Sequence, residues 1–367
     1  MKVLVTGANG FIGKNLLVHL YEKNIEVISF TRQMSSQELG SSLKDVSFVF
    51  HLAGSNRPSD EAEFKIHNFE LTQKLCNFIR DSGRVIPVLH TSSIQAEMSN
   101  AYGVSKLAAE NALISLAEDS NSPVYLYRLS NVFGKWSRPN YNSAVATFSY
   151  NIANNKVIEI KDPDSLINLV YIDDVIKDFL RILEEQPKGV VRPKVLPEHT
   201  ITVGSLADHI RSFKDGRELL CIGTIGIGLT RALYATYLSF LSPAQFSYPL
   251  PSYSDERGSF VEVLKTKDSG QLSFITAPSG ITRGGHYHHS KSEKFVVVKG
   301  SAKFSFKHIV TEEVYEILSE GKKTEVIEIV PGWSHEITNV GNSEMIVMIW
   351  ANEIFDRQRP DTVTYKD

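Results

Sequence analysis

The apolar positions change their period along the chain. In the first two thirds, "KVLVTG", "IEVISF", "VSFVFHLAG", "RVIPVLHTSS" and "PVYLYRLS" are short runs rich in β-branched and aromatic residues. Between them, stretches such as "FIGKNLLVHLYEKN" and "EFKIHNFELTQKLCNFIRDSG" repeat apolar residues at helical spacing. Alternating strands and helices with short connections predict a parallel sheet covered on both faces, the doubly wound α/β architecture. Around residues 242–252, in "LSPAQFSYPLPSYSDERGSF", prolines and serines interrupt the pattern and the helical period ends. Strand-like runs follow: "SFVEVLK", "GQLSFITA", "KFVVVKG", "AKFSFKHIV", "TEVIEIV" and "MIVMIWA". Such runs, separated by Gly, Pro and Asn turns, predict a small all-β barrel or jelly roll. The expected division is therefore an α/β domain over residues 1–243 and a β domain over 244–367.

The stretch "CIGTIGIGLTRALYATYLSFL", residues 221–241, is nearly long enough to span a bilayer. Arg231 at its middle and three glycines in its first half argue against a span, while Leu233, Tyr234, Tyr237, Leu238 and Leu241 recur at helical spacing. A loop leading into a buried helix is expected. A chain of 367 residues exceeds one compact core, in keeping with two domains. Its net charge of −3 gives no global reason to expect nucleic acid or an anionic membrane as partner. Only Cys76 and Cys221 are present, so no disulfide framework is expected, and the start "MKVLVTGANG" reads as a strand rather than a signal peptide. A cytoplasmic protein is expected.

The turn after the first strand is Gly7-Ala8-Asn9-Gly10-Phe11-Ile12-Gly13, a G-x-x-G-x-x-G spacing between a strand and a helix. Glycines there permit the tight turn and let backbone N–H groups approach a pyrophosphate at the positive end of the helix. The second strand ends on Thr31-Arg32 rather than an acid. An acid would bind the ribose hydroxyls of NAD, whereas an arginine suits a 2′-phosphate, so NADPH is the expected cofactor. Further on, Tyr102-Gly103-Val104-Ser105-Lys106 places a lysine four residues after a tyrosine, on one helix face, with "HTSS" at a strand end before it. The lysine's charge favours the phenolate, so the tyrosine can exchange a proton.

With these residues the N-terminal region, roughly 1–240, resembles the extended short-chain dehydrogenase/reductases, especially those acting on nucleotide-sugars. The match runs through "TGANGFIG", "HLAG", Asn68 in "HNFELT", "HTSS", "YGVSK", "RLSNVFG" and "LVYIDDV". The resemblance implies Ser93 as catalytic serine, with Ser92 the close alternative, Tyr102 as acid and Lys106 as its activator. It implies a Rossmann-type cofactor site of Gly7, Asn9, Gly10, Phe11, Ile12, Gly13, Thr31, Arg32, Leu52 and Ala53 together with Tyr102 and Lys106, and puts Asn131 near the sugar nucleotide. Two departures stand out: the family's "SSxxVYG" is "SSIQAEM" here, and Ile167-Asn168 replaces the arginine often found before "VYVDDV".

In the second region, "GITRGGHYHHSKSEKFVVVKG" matches the first cupin motif at every fixed position, and "PGWSHEITN" keeps the glycine, histidine and asparagine of the second with a shifted proline. On a strand, His286 and His288 point to one face. Glu293 and His335 complete a four-ligand set suited to zinc or another divalent metal. A second resemblance overlaps: "SDERGSFVEV" and "GITRGGH" are similar to the deoxysugar 3,5-epimerase cupins, in which the histidine at the position of His286 is a metal-independent base and Arg283 lies near the nucleotide phosphates. The additional His288 and Glu293 favour the metal. The two-domain order resembles the bifunctional capsular-polysaccharide and O-antigen enzymes of bacterial N-acetyl-L-fucosamine synthesis. That resemblance implies a UDP-linked 2-acetamido-2,6-dideoxy-4-ketohexose, epimerised at carbon 3 by the cupin and reduced at carbon 4 with NADPH, giving the 6-deoxy-L-talose sugar. A homodimer is expected. A 4-ketosugar reductase or dehydratase with a structural cupin, and a non-catalytic sugar-nucleotide sensor, stay open as alternatives. Intact Ser93, Tyr102 and Lys106 count against the sensor.

Overall fold

The computed structural model describes residues 1–57 and 60–365. They form two compact units, one of residues 1–211 with 226–241 and one of residues 212–225 with 242 onward. Segment 212–225 thus falls with the second unit, ahead of the division at 243/244 expected from composition.

In the first unit the strands are β1 (Lys2–Thr6), β2 (Glu26–Phe30), β3 (Phe48–His51), β4 (Val88–Ser93), β5 (Val124–Leu129), β6 (Asn131–Phe133), β7 (Leu166–Tyr171), β8 (Val190–Val191) and β9 (Glu198–Thr202). The helices are α1 (Phe11–Glu22), α2 (Ser36–Ser42), α3 (Ala62–Phe64), α4 (Leu71–Asp81), α5 (Ala101–Ser120), α6 (Ala144–Ala153), α7 (Ile172–Glu185), α8 (Val203–Glu218), whose residues from 212 on fall with the second unit, and α9 (Gly228–Leu238). The main sheet is parallel, in the order β2-β1-β3-β4-β5-β8. Alternating side chains fill two cores. Val3, Val5, Phe48, Phe50, Tyr125 and Tyr127 pack with Leu16, Leu20 and Phe179 on one face. Leu4, Val49, Val88 and Leu126 pack with Leu39, Leu75, Ile79, Leu113 and Leu116 on the other. Burial on both faces is why these strands read as unbroken apolar runs. The order reverses at β1, and such a switch opens a crevice beyond the carboxyl ends of the strands. The glycine turn follows β1, and Ser92-Ser93 ends β4.

The helix expected over residues 63–83 is not regular: α3 passes through a π-helical turn, Lys65–Glu70, before α4. Asn68 is buried in that turn. The apolar stretch before residue 242 is resolved into a loop and α9, whose Ala232, Leu233, Thr236 and Tyr237 are buried. Among the described residues, no helix is long and apolar enough to cross a membrane.

The second unit is built from β10 (Cys221–Ile222), β11 (Ser252–Asp255), β12 (Gly258–Thr266), β13 (Gly270–Ala277), β14 (Thr282–Tyr287), β15 (Glu293–Lys299), β16 (Ser301–His308), β17 (Val314–Glu320), β18 (Ile327–Ile329), β19 (Trp333–Asn339), β20 (Met345–Ala351) and β21 (Val363–Thr364). One sheet runs β10-β12-β13-β20-β15-β18, with β11 on β12, and the other β17-β16-β19-β14-β21. All pairings are antiparallel except β10 with β12, through which segment 212–225 joins this unit. Ile275, Phe295, Val297, Phe304, Phe306, Ile337, Val347 and Ile349 form the core of this jelly-roll sandwich. Strand β14 ends at Tyr287, so His286 lies on it and His288 just past its end.

Candidate functional site

The first site grows from the β1 turn. Gly7 has φ +70°, and a Cβ there would lie 2.7 Å from the Ala53 nitrogen; a Cβ on Gly13 would lie 2.3 Å from the Gly7 carbonyl oxygen. Side chains are thus excluded where a pyrophosphate must meet backbone, and α1 has Gly10 as its N-cap, with no side chain capping its free N–H groups. The chain folds here as a dinucleotide cradle requires.

A cleft of about 710 Å³ opens over this turn, lined by Gly7, Asn9, Gly10, Phe11, Ile12 and Gly13, by Leu52 and Ser93, and by Tyr102, Lys106 and Asn131. Ala53, Thr31 and Arg32 do not line it. Ala53 packs its backbone against Gly7, and Arg32 stands exposed just beyond β2. Asn131 donates to the Asn168 carbonyl at 3.0 Å, so the unusual Asn168 braces the cleft wall.

Ser93 and Ser92 diverge as neighbours on a strand must. Ser92 donates to Glu110, which is buried and held by Arg128 at 2.7 Å. Ser93 instead hydrogen-bonds the Tyr102 side chain. The Tyr102 hydroxyl also donates to Asn56 Oδ1 at 3.3 Å, and its ring packs 5.4 Å from Phe64. Burial raises the Tyr102 phenol above its ordinary pKa, opposed by the Ser93 hydrogen bond. Desolvation is the larger of the two effects, so Tyr102 rests as a protonated phenol. Lys106 is buried, donates to the Thr91 carbonyl at 3.0 Å and lies 6.0 Å from the Tyr102 ring centre. Burial lowers its ammonium to about 8, against the pull of Glu110.

Asn68 has a structural part that its place in "HNFELT" left unspecified. It accepts from the Ser55 N–H at 2.8 Å and donates to Ser105 Oγ at 2.9 Å, clamping the β3 loop to α5. A Cβ on Gly54 would meet Asn68 Oδ1 at 3.0 Å and Lys106 Nζ at 3.1 Å, which explains the glycine of "HLAG". Asn56 and Phe64 were not singled out by sequence reading; no short motif marks a residue that reaches Tyr102 from a loop.

The second site lies within the β unit. Antiparallel pairing of β14 with β19 sets His286 opposite His335. His286, His288, Glu293 and His335 each offer a ligand atom, all within 4.8 Å of one another. The His286 and His335 rings are 4.5 Å apart, and Glu293 Oε2 lies 3.4 Å from His288 Nε2 and 3.8 Å from His335 Nε2. Burial lowers His335 to about 3 and also lowers His286, keeping both imidazoles in the neutral form that donates a lone pair. Burial alone would raise Glu293, but the His288 hydrogen bond and the Lys291 charge prevail and bring it to about 2. Buried His335 Nδ1 has no hydrogen-bond partner among the described residues. Neutral imidazoles and an ionised carboxylate gathered within 4.8 Å are what a divalent cation requires. Arg283, also on β14, donates from Nη1 to the Thr276 carbonyl at 3.1 Å and to those of Arg257 and Ser259 at 3.4 Å.

Residues 3–195 match the NAD dependent epimerase/dehydratase family, and residues 253–363 match the polysaccharide biosynthesis C-terminal domain. The chain is 56% identical, over 99% of its length and 98% of the relative's, to the UDP-2-acetamido-2,6-beta-L-arabino-hexul-4-ose reductase of Pseudomonas aeruginosa. It superposes over the full length of both chains on the capsular polysaccharide assembling protein CapF of Staphylococcus aureus, with a TM-score of 0.93 and 39% identity. The UDP-glucuronic acid 4-epimerase of Bacillus cereus shares the fold over 65% of this chain and 98% of its own, with a TM-score of 0.55 and 18% identity. Taken with the glycine cradle and the β domain that follows in sequence, these matches show that the chain belongs to the NAD dependent epimerase/dehydratase family, in its CapF-like branch with a polysaccharide biosynthesis C-terminal domain.

Proposed function

We propose that this chain is a UDP-2-acetamido-2,6-dideoxy-hexulose reductase of capsular polysaccharide synthesis that also epimerises its substrate. The observation that carries the reading is the convergence of Ser93, Tyr102 and Lys106 on the glycine-lined cleft, in a chain similar end to end to a protein named for reducing such a ketosugar. Domain by domain, residues 244–367 invert carbon 3 of a UDP-2-acetamido-2,6-dideoxy-4-ketohexose, and residues 1–243 reduce carbon 4, giving UDP-2-acetamido-2,6-dideoxy-L-talose. The chemistry orders the steps. The carbon 4 ketone acidifies the carbon 3 proton by delocalising the carbanion as an enolate, and reduction removes that ketone, so epimerisation comes first.

Residues Gly7–Gly13 would hold NADPH and Arg32 would pair with its 2′-phosphate; the cofactor would supply the hydride for carbon 4. Tyr102 Oη gives its proton to the carbon 4 oxygen, Ser93 Oγ donates to the same oxygen and orients it, and Lys106 stabilises the phenolate left behind. A protonated resting Tyr102 suits this direction of reaction. In the β domain His286, His288, Glu293 and His335 would hold a zinc or similar ion, which would supply positive charge against an enolate. A homodimer is part of the reading.

Two outcomes test it at the cofactor end. Arg32→Ala should remove most of a preference for NADPH over NADH, on the order of 10- to 100-fold in kcat/KM, because a hydrogen-bonded charge contact is worth about 1.5–3 kcal/mol. Equal efficiency with both cofactors in the unmutated chain would refute the assignment. Reduction should also depend on pH: Lys106 is charged below about 8, so kcat/KM falls as pH rises through that value. A profile flat from pH 7 to 9 would show that its charge is not needed.

A further inference from the structure

The C-terminal strap of the β domain touches the elements bearing three of the four clustered residues. Strand β21 pairs with β14, setting Thr364 opposite His286 and Val363 opposite Tyr287, and the Tyr365 N–H donates to the Gly285 carbonyl at 3.0 Å. Lys291 Nζ lies 3.3 Å from Thr362 Oγ1 and 3.3 Å from Glu293 Oε1, so the strap also reaches the carboxylate through a buried lysine. At its head, Asp361 makes two kinds of contact. Its main-chain carbonyl lies 2.6 Å from His288 Nδ1. Its carboxylate spans the turn after His288: Oδ1 accepts from the His289 N–H at 2.9 Å, and Oδ2 accepts from the Ser290 N–H at 2.8 Å, Ser290 Oγ at 2.9 Å and the Lys291 N–H at 2.8 Å.

A carbonyl can only accept, so His288 Nδ1 carries its hydrogen and Nε2 is left facing Glu293 Oε2 at 3.4 Å. Asp361 has φ +29°, a backbone conformation that an L residue keeps only when its surroundings hold it there. Four hydrogen bonds to the carboxylate supply that hold.

We propose that Asp361 is the positioning residue of the cluster: its carboxylate fastens the strap to the 289–291 turn so that its carbonyl fixes the His288 tautomer and aims Nε2 at the metal position. The inference rests on the metal reading above for its consequence, and on geometry alone for the tautomer. Hydrogen-bond partners of a ligating histidine typically alter metal affinity roughly 10–100-fold when removed.

The test uses the full chain and two variants, Asp361→Ala and Asp361→Asn. The amide oxygen of asparagine can replace one carboxylate oxygen but not both, so the variants should rank in order. Zinc affinity, measured by competition with a chromophoric chelator, should fall about 10- to 100-fold in Asp361→Ala and less in Asp361→Asn. In metal-free protein carrying ¹⁵N-histidine, long-range ¹H–¹⁵N spectra should show His288 as the Nδ1–H tautomer in the unmutated chain and a mixture in Asp361→Ala, the signal being assigned by its loss in His288→Gln. Unchanged affinity with an unchanged tautomer in folded Asp361→Ala overturns the proposal. If the unmutated chain takes up no zinc, the metal reading falls separately and the tautomer decides alone: loss of Nδ1–H in Asp361→Ala supports the positioning role, and its retention overturns it.

Discussion

Tyr102→Phe is expected to lower NADPH oxidation by roughly 10²–10⁴-fold while leaving exchange of the carbon 3 proton with deuterated water intact. The substitution deletes one oxygen. Its ring still packs against Phe64, and what disappears is the proton donor between Ser93 and Asn56. No remaining described side chain lining the cleft offers an acid placed between those two partners. Exchange at carbon 3 is assigned to the β domain, so it should survive. Loss of exchange together with reduction, in a protein that keeps its fold, would mean that one site performs both steps.

A comparable loss is expected at the other site. His288→Ala and His335→Ala should each abolish stoichiometric metal, measured by elemental analysis of the full chain, and carbon 3 exchange with it. The effect should exceed the roughly 10–100-fold cost of removing a supporting hydrogen bond, because a direct donor of a four-membered set is lost. Both side chains are buried, His288 fully and His335 at 3% exposure, so circular dichroism must show that the sandwich persists. Reduction of an already epimerised 4-ketosugar should be unchanged. A metal-free unmutated chain that still exchanges, and stops only in His286→Ala, would instead make His286 the base.

Most of the α/β fold is legible because its strands are buried on both faces, and unbroken runs such as "FVF" at Phe48–Phe50 carry that burial directly. The glycine turn is legible for a different reason: a Cβ at Gly7 or Gly13 collides with backbone, so the residue type itself records the geometry. The π turn at Lys65–Glu70 leaves no such mark, since its pattern of apolar residues differs little from that of an α-helix. In the β domain, strand β17 escaped notice because it lies at a sheet edge, where Val314, Tyr315, Glu316 and Leu318 are all exposed and the period of two is lost.

The four clustered residues are recognisable by spacing, but the register that places His286 opposite His335 joins segments nearly fifty residues apart. Asp361 has no motif at all. Its contacts run over about seventy residues of sequence to the 289–291 turn, and an aspartate between proline and threonine near a chain end reads as solvent-exposed. The raised Tyr102 was likewise out of reach, because desolvation depends on what packs over the ring and not on the lysine four residues along.

The central claim is that one chain both inverts carbon 3 and reduces carbon 4. It is tested most directly by NMR and mass spectrometry of the product formed from UDP-2-acetamido-2,6-dideoxy-4-ketohexose in deuterated water with unlabelled NADPH. The account predicts inverted carbon 3 bearing solvent deuterium and carbon 4 bearing protium from the cofactor. A product reduced at carbon 4 but with protium and unchanged configuration at carbon 3 would contradict it.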